Sequence, residues 1–175
     1  MPRADARANA VADAVVTRLR TINSGTPAGA NQYGQAADAD KWLTKPVSVV
    51  RQLMADALTM AARPHIAVEV AQIKDAFRGG GVHVQTVTID VHLIAGTGGD
   101  SESQLAKLAA DVMFAISQDE TIGGVAIQFP AEGTEENAFE YALQTEIMLK
   151  TAGLAMATVR FAVDTRWDHT TTNPS

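Results

Sequence analysis

After Arg63-Pro64 the spacing of the apolar residues changes from three and four to two, and from there to residue 166 only one further helical stripe interrupts the alternation. That switch limits the architecture more than any other feature of the chain. Ile66, Val68 and Val70 alternate with His65, Ala67 and Glu69, and Val87, Ile89, Val91 and Leu93 alternate with Thr88, Asp90 and His92, as in strands with one buried face. Gly79-Gly80-Gly81 separates the two runs. Val82 and Val84 are out of phase with the second, which predicts a bulge near Gln85 and Thr86. Val125, Ile127 and Phe129 alternate up to Pro130, a short third strand. From Phe139 to Leu149 the alternate positions are apolar five times in six, and beyond Thr151-Ala152-Gly153 the run Ala155, Ala157, Val159, Phe161, Val163 completes a hairpin. Parallel crossovers need a helix between strands, and only one intervenes. The expected fold is α+β: a largely antiparallel sheet of about five strands with a long helix packed on one face.

The helical stripes are three. Ala8, Val11, Ala12, Val15, Leu19 and Ile22 predict an N-terminal helix over residues 1–23. Val47, Val50, Met54, Ala57, Leu58 and Ala61, opened by Pro46, predict a second. Leu105, Leu108, Ala109, Val112, Met113 and Ile116 give the clearest stripe, and Ser101 with Gln104 has the spacing of a capping box at its start. Between the first two helices, residues 24–40 have no periodicity and four Gly or Pro, which reads as a loop. Connections of that length tend to be binding arms or disordered. Tyr33 and Trp42, in or beside it, either pack on a partner or fold back on their own domain. HTTTNPS closes the chain as a polar tail.

No motif in the sequence carries chemistry convincingly. Gly96-Thr97-Gly98-Gly99-Asp100-Ser101 lies where phosphate loops lie, between strand and helix. It lacks the third glycine of a dinucleotide fingerprint and the Gly-Lys pair of a Walker loop, and Asp100 would repel a phosphate. It reads as a turn. The histidines are His65, His83, His92 and His169; Asp90 and His92 share a strand face but are too few for a metal, and no nucleophile elbow exists. The pairs Asp119-Glu120 and Glu135-Glu136 read as solvated acids, and Arg160 is placed to pair with Glu140 or Glu146 across the hairpin. The expectation is no enzyme and no cofactor.

The 175 residues fit one domain, and the absence of Cys excludes disulfides, thiolate nucleophiles and Cys-ligated zinc. No apolar run approaches the ~18 residues a membrane span needs, so the chain is expected to be soluble, made in the cytoplasm and without a membrane partner. The net charge of -6 divides unevenly: residues 1–81 carry ten bases and seven acids, +3, and residues 82–175 carry four bases and thirteen acids, -9. This balance argues against general nucleic-acid affinity.

Taken in order, VQTVTIDVHLIAG, LAKLAADVMFAI, Asp119-Glu120 with Gly123-Gly124, VAIQF and ATVRFAVDTRW resemble the tail terminator (tail completion) proteins of long-tailed bacteriophages, over about residues 64–166. The resemblance implies a structural virion protein of the tail and neck. Such proteins assemble as hexameric rings that cap the tail tube, end its polymerisation and join it to the head connector or stopper protein, with DNA passing through the lumen and no sequence-specific nucleic-acid binding. It assigns no individual binding residue. A ring needs two different complementary faces per subunit, which the +3 and -9 halves of the sequence are suited to supply. The long loop and the acidic loop at 131–138 are the candidate contacts above and below it, with Tyr33, Trp42, Glu132, Glu135 and Glu136 as the candidate interface residues. The competing readings are a head-completion or stopper protein of the neck, and a small-molecule-binding α+β domain using the Asp90 and His92 face.

Overall fold

Two long strands joined by a glycine turn, β2 (His65–Gly79) and β3 (Val82–Gly96), form the centre of the fold seen in the computed structural model, which describes residues 4–24, 34, 41–80, 82–96, 100–144 and 153–168. Around them lie α1 (Ala4–Leu19), β1 (Ser48–Arg51), the single turn α2 (Met54–Ala57), α3 (Ser101–Ser117), a 3-10 turn at Glu135–Asn137, β4 (Glu140–Gln144) and β5 (Leu154–Asp168). The strands make one five-stranded sheet in the order β1-β2-β3-β5-β4. Only β1 and β2 are parallel; every other neighbouring pair is antiparallel.

Strand alternation decides which residues meet the helices. Ile66 and Val68 on β2, Val87, Ile89, Val91 and Leu93 on β3, and Ala157, Val159, Phe161 and Val163 on β5 share one face and one core with α1 and α3. The stripes read from the sequence are the buried faces of those helices: Val11, Val15, Leu19 and Ile22 from the first, Leu105, Leu108, Val112 and Ile116 from the second. Each such side chain contributes about 1.5–3 kcal/mol of gross burial. The opposite face carries a small apolar patch, Ala57, Ala67, Ile94 and Met156, under α2.

Several expectations are corrected. In place of one long helix, two helices of 16 and 17 residues pack on the sheet. The segment opened by Pro46 is β1 followed by one turn of helix. Val49, off the expected stripe, is the buried residue there, Val47 is exposed, and the pair of β-branched valines hydrogen-bonds along β2. Val125–Phe129 makes only an isolated bridge, Gln128 to Asp164, because Ile127 is exposed and the chain turns; Ala126 and Phe129 are the buried residues. The irregularities lie on the partner strand, between Val70 and Gln72 and between Phe77 and Gly79, and β3 pairs without interruption along β5. That register carries Gln85 onto the helix face, where its amide is fully buried with no hydrogen-bond partner among the described residues. Asp100, not Ser101, precedes α3 as the cap residue, and no side chain caps it. Of the fourth strand, residues 140–144 are described and 145–149 lie outside the described residues, as do the loop at 25–33 and 35–40 and the tail from 169.

After α3 the chain is turned by Asp119. Its carboxylate accepts the Thr121 N–H and hydroxyl at 3.0 and 2.7 Å and the Gly123 N–H at 2.7 Å. The Thr121 hydroxyl first, then the Gly123 amide, hold the Asp119 carboxyl below the usual carboxylate range. Ile122 adopts φ +47° in this turn, a conformation unfavourable for a β-branched residue, and its complete burial in the core offsets that strain.

Candidate interaction surfaces

Trp42 is folded back on its own domain, 7% exposed, with its ring edge-on to Phe114 at 5.5 Å and the Lys41 ammonium 5.3 Å from its centroid. The residue that fixes its segment is Asp111, a buried polar position that the apolar stripe of α3 does not single out. Asp111 lies on the buried arc of α3 beside Leu108 and Val112, and its carboxylate accepts the Leu43 N–H at 2.9 Å, the Thr44 N–H at 2.7 Å and the Thr44 hydroxyl at 2.5 Å. The long loop therefore ends in a pinned segment, and Trp42 is part of the pin. Tyr33 lies outside the described residues.

The acidic loop is anchored just as firmly. Asp164, buried on β5, accepts the Thr86 hydroxyl at 2.6 Å through one carboxylate oxygen and the Glu132 N–H at 2.9 Å through the other. The Ala131 N–H donates to the Ala162 carbonyl at 3.0 Å. Phe129, Phe139 and Phe161 form a triangle of rings with centroids 5.3 to 5.8 Å apart, closing the loop at both ends against the sheet. Glu132 and Glu136 are exposed, and Glu135, whose side chain lies outside the described residues, is the first residue of the 3-10 turn Glu135–Asn137.

On the sheet face away from the long helices, the polar residues hold one another. Arg160 pairs with Asp90 in a bidentate contact, Nε to Oδ1 at 2.7 Å and Nη2 to Oδ2 at 2.8 Å, not with Glu140 directly across the hairpin; Glu146 lies outside the described residues. The hydrogen bond to Asp90, its charge and that of Glu140 push the guanidinium further toward its charged form. His92 lies between the Thr158 hydroxyl, 3.0 Å from Nδ1, and the Glu69 carboxylate, 3.3 Å from Nε2. The same Glu69 oxygen accepts the Met54 N–H. An ionised carboxylate only accepts, so Nε2 is the donor in its contact with Glu69. Asp90 and His92 thus both have their hydrogen-bonding groups engaged by neighbours. Among the described residues no three His, Cys, Asp or Glu come together to hold a metal, and no helix is long and apolar enough to cross a membrane.

Several charged groups of both sequence halves are held by hydrogen bonds within the fold. Four of the thirteen acids beyond residue 81, Asp90, Asp111, Asp119 and Asp164, are bound to groups of this chain. Arg18, Arg20 and Arg63 likewise donate to backbone carbonyls, of Ala115, Val49 and Leu58 among others. Further acids on the surface include Glu102, Glu120, Glu136 and Glu140.

Sequence patterning gave no hint of the sheet's two open sides. β1 covers β2 only from His65 to Val68; beyond it, residues 71–76 of β2 are exposed and, among the described residues, no strand pairs with their outer edge. At the other end β4 has β5 on one side and no described strand on the other. Ile73 on the first edge and Tyr141 and Leu143 on the second are 39–41% exposed.

His65 sets a pH dependence. Its ring is fully buried at the start of β2, Nε2 lies 3.3 Å from the Gln52 amide oxygen, and Nδ1 has no partner among the described residues. Burial first, and the Arg63 charge second, lower its pKa. The unfolded chain then binds the proton more readily, so stability is full above the ordinary histidine pKa and falls as pH drops through and below it. Urea unfolding at pH 7 and pH 5 is expected to show this loss, and His65→Gln to flatten it; an equal slope in the variant refutes the assignment.

Comparison of the sequence with protein-family models and with curated proteins gives no match.

Proposed function

We propose that this chain is a ring-forming structural protein of a bacteriophage tail, capping the tail tube, ending its growth and joining it to the head connector. The observation that carries the proposal is the pair of sheet edges, at opposite ends of one sheet, that have no pairing strand among the described residues. A head-to-tail ring needs two different surfaces on each subunit, and an exposed strand edge left uncovered invites pairing with another chain. The edges differ in sequence, length and charge, which favours heterologous contact over a self-complementary dimer. The anchored acidic loop with Glu132 and Glu136 supplies a second kind of surface, held in a fixed shape by Asp164 and the phenylalanine triangle. In this proposal it meets a basic partner on the tube or the connector, a contact that salt weakens.

Light scattering with negative-stain imaging, with and without purified tail tubes, tests the reading. Rings of six subunits, free or seated on tube ends, are the expected result. A chain that stays monomeric at every concentration and binds no tube end refutes it.

A further inference from the structure

Resting on the ring reading, we infer that β4 of one subunit adds as a strand to the free edge of β2 in the next copy of this chain, antiparallel, with Tyr141 opposite the partner's Ile73 and Glu140 opposite the partner's Lys74. The direction follows from the sheet itself. β2 is antiparallel to β3, β3 to β5 and β5 to β4, so β4 and β2 run in opposite senses. A neighbour brought in by rotation about an axis along the strands keeps its own sense and its helix face, and its β2 meets β4 as an antiparallel partner with both helix layers on one side.

Side-chain placement then selects the register. Tyr141 pairs with Val159 and Leu143 with Ala157, both core positions of β5, so the two exposed side chains lie on the helix face. Ile73 pairs with Val87 and Val70 with Ile89, which places them on that face also. Lys74, opposite Thr86, and Glu140, opposite Arg160, lie on the other face, and both are exposed. Antiparallel pairing of Tyr141 with Ile73 puts Glu140 on Lys74 in the same step, joining apolar to apolar and acid to base. A shift by two residues toward Leu143 keeps an apolar pair and loses the charge pair. With the Ala71 bulge opposite Ala142, Leu143 reaches Val70.

There is room for the added strand. β1 ends at Arg51, the Gln52 N–H makes a last bond to the Val68 carbonyl at 3.1 Å, and the track beyond opens into a cleft of about 470 Å³ lined by Leu53, Glu69 and Val70 among others. The five residues of β4 span about 17 Å, within the uncovered length of β2 from Val70 to Gly79. β4 pairs beside residues 156–160 of β5, whereas Ile73 lies level with Val163, so each junction is staggered along the strands, as in closed sheets with tilted strands.

The chain contains no Cys, so introduced thiols report only their own positions. Ile73→Cys with Tyr141→Cys, oxidised under native conditions, is expected to give a ladder of covalent oligomers on a non-reducing gel, up to the ring. Neither single variant should, because a heterologous contact never brings a residue to its own copy. In parallel, Lys74→Glu and Glu140→Lys should each raise the concentration needed for assembly by about tenfold or more, and the double exchange should restore it. Rings that form with no ladder and no charge-exchange rescue overturn this interface and leave the ring reading standing. Monomers in the unsubstituted protein, with or without tubes, overturn both. All four positions are exposed, and circular dichroism of each variant separates lost contact from lost fold.

Discussion

Asp111→Ala is expected to lower the unfolding free energy by about 3 kcal/mol and to free Trp42 from Phe114. The carboxylate accepts three hydrogen bonds, and hydrogen bonds to a charged group are worth about 1.5–3 kcal/mol each. Leu43 is open to water and its N–H recovers a partner there, so the loss falls mainly on the N–H and hydroxyl of Thr44, which is buried. Asp111→Asn keeps one acceptor oxygen but turns its amide N–H groups toward other donors, and should fall between the two. Urea denaturation gives the energy. Tryptophan emission in a Trp167→Phe background gives the environment of Trp42, expected to shift to the red. A change within about 0.5 kcal/mol, the range of ordinary surface substitutions, would show that the segment holds itself in place without Asp111.

Asp111 also shows what the sequence carries and what it hides. The apolar stripes of α1 and α3, and the period-two runs of β2, β3 and β5, were legible because in those elements burial alone selects the residue type. The same rule fails where polar residues are buried. Asp111 stands on the buried arc of α3, and a polar position between Leu108 and Val112 at stripe spacing is the one signal that a partner waits there; the partner, 67 positions away, leaves no trace in either segment. Gln85 is the strand counterpart, a polar residue that register places on the core face. Periodicity misleads differently in short elements. Val47 to Ala61 matches a helical stripe, yet four residues pairing with β2 decide its first part, and tertiary pairing outweighs local spacing over so short a run. The open edges were illegible for a simpler reason: alternation tells which face of a strand is buried, never which neighbour lies beside it.

Phe161→Ala carries the second large effect, because it removes the residue on which the loop, β4 and the proposed ring contact all depend. Phe161 is 3% exposed and its ring is shared by Phe129 at 5.7 Å and Phe139 at 5.8 Å, the two ends of the acidic loop. Truncating a buried phenylalanine costs about 3–5 kcal/mol, as lost burial and the cavity left behind. Phe139 immediately precedes β4, so the entry of that strand loses its support while the hydrogen bonds of Asp164 still hold Glu132. The expected outcome is a protein that unfolds at lower urea and assembles poorly even where it remains folded. Phe161→Leu fills most of the volume and should recover most of the stability, by about 2 kcal/mol or more relative to alanine. If assembly follows stability alone, then a second large-to-small core substitution of comparable cost far from β4, such as Leu19→Ala on α1, weakens it equally. If β4 is the contact, Phe161→Ala loses assembly and Leu19→Ala, compared at matched fraction folded, does not.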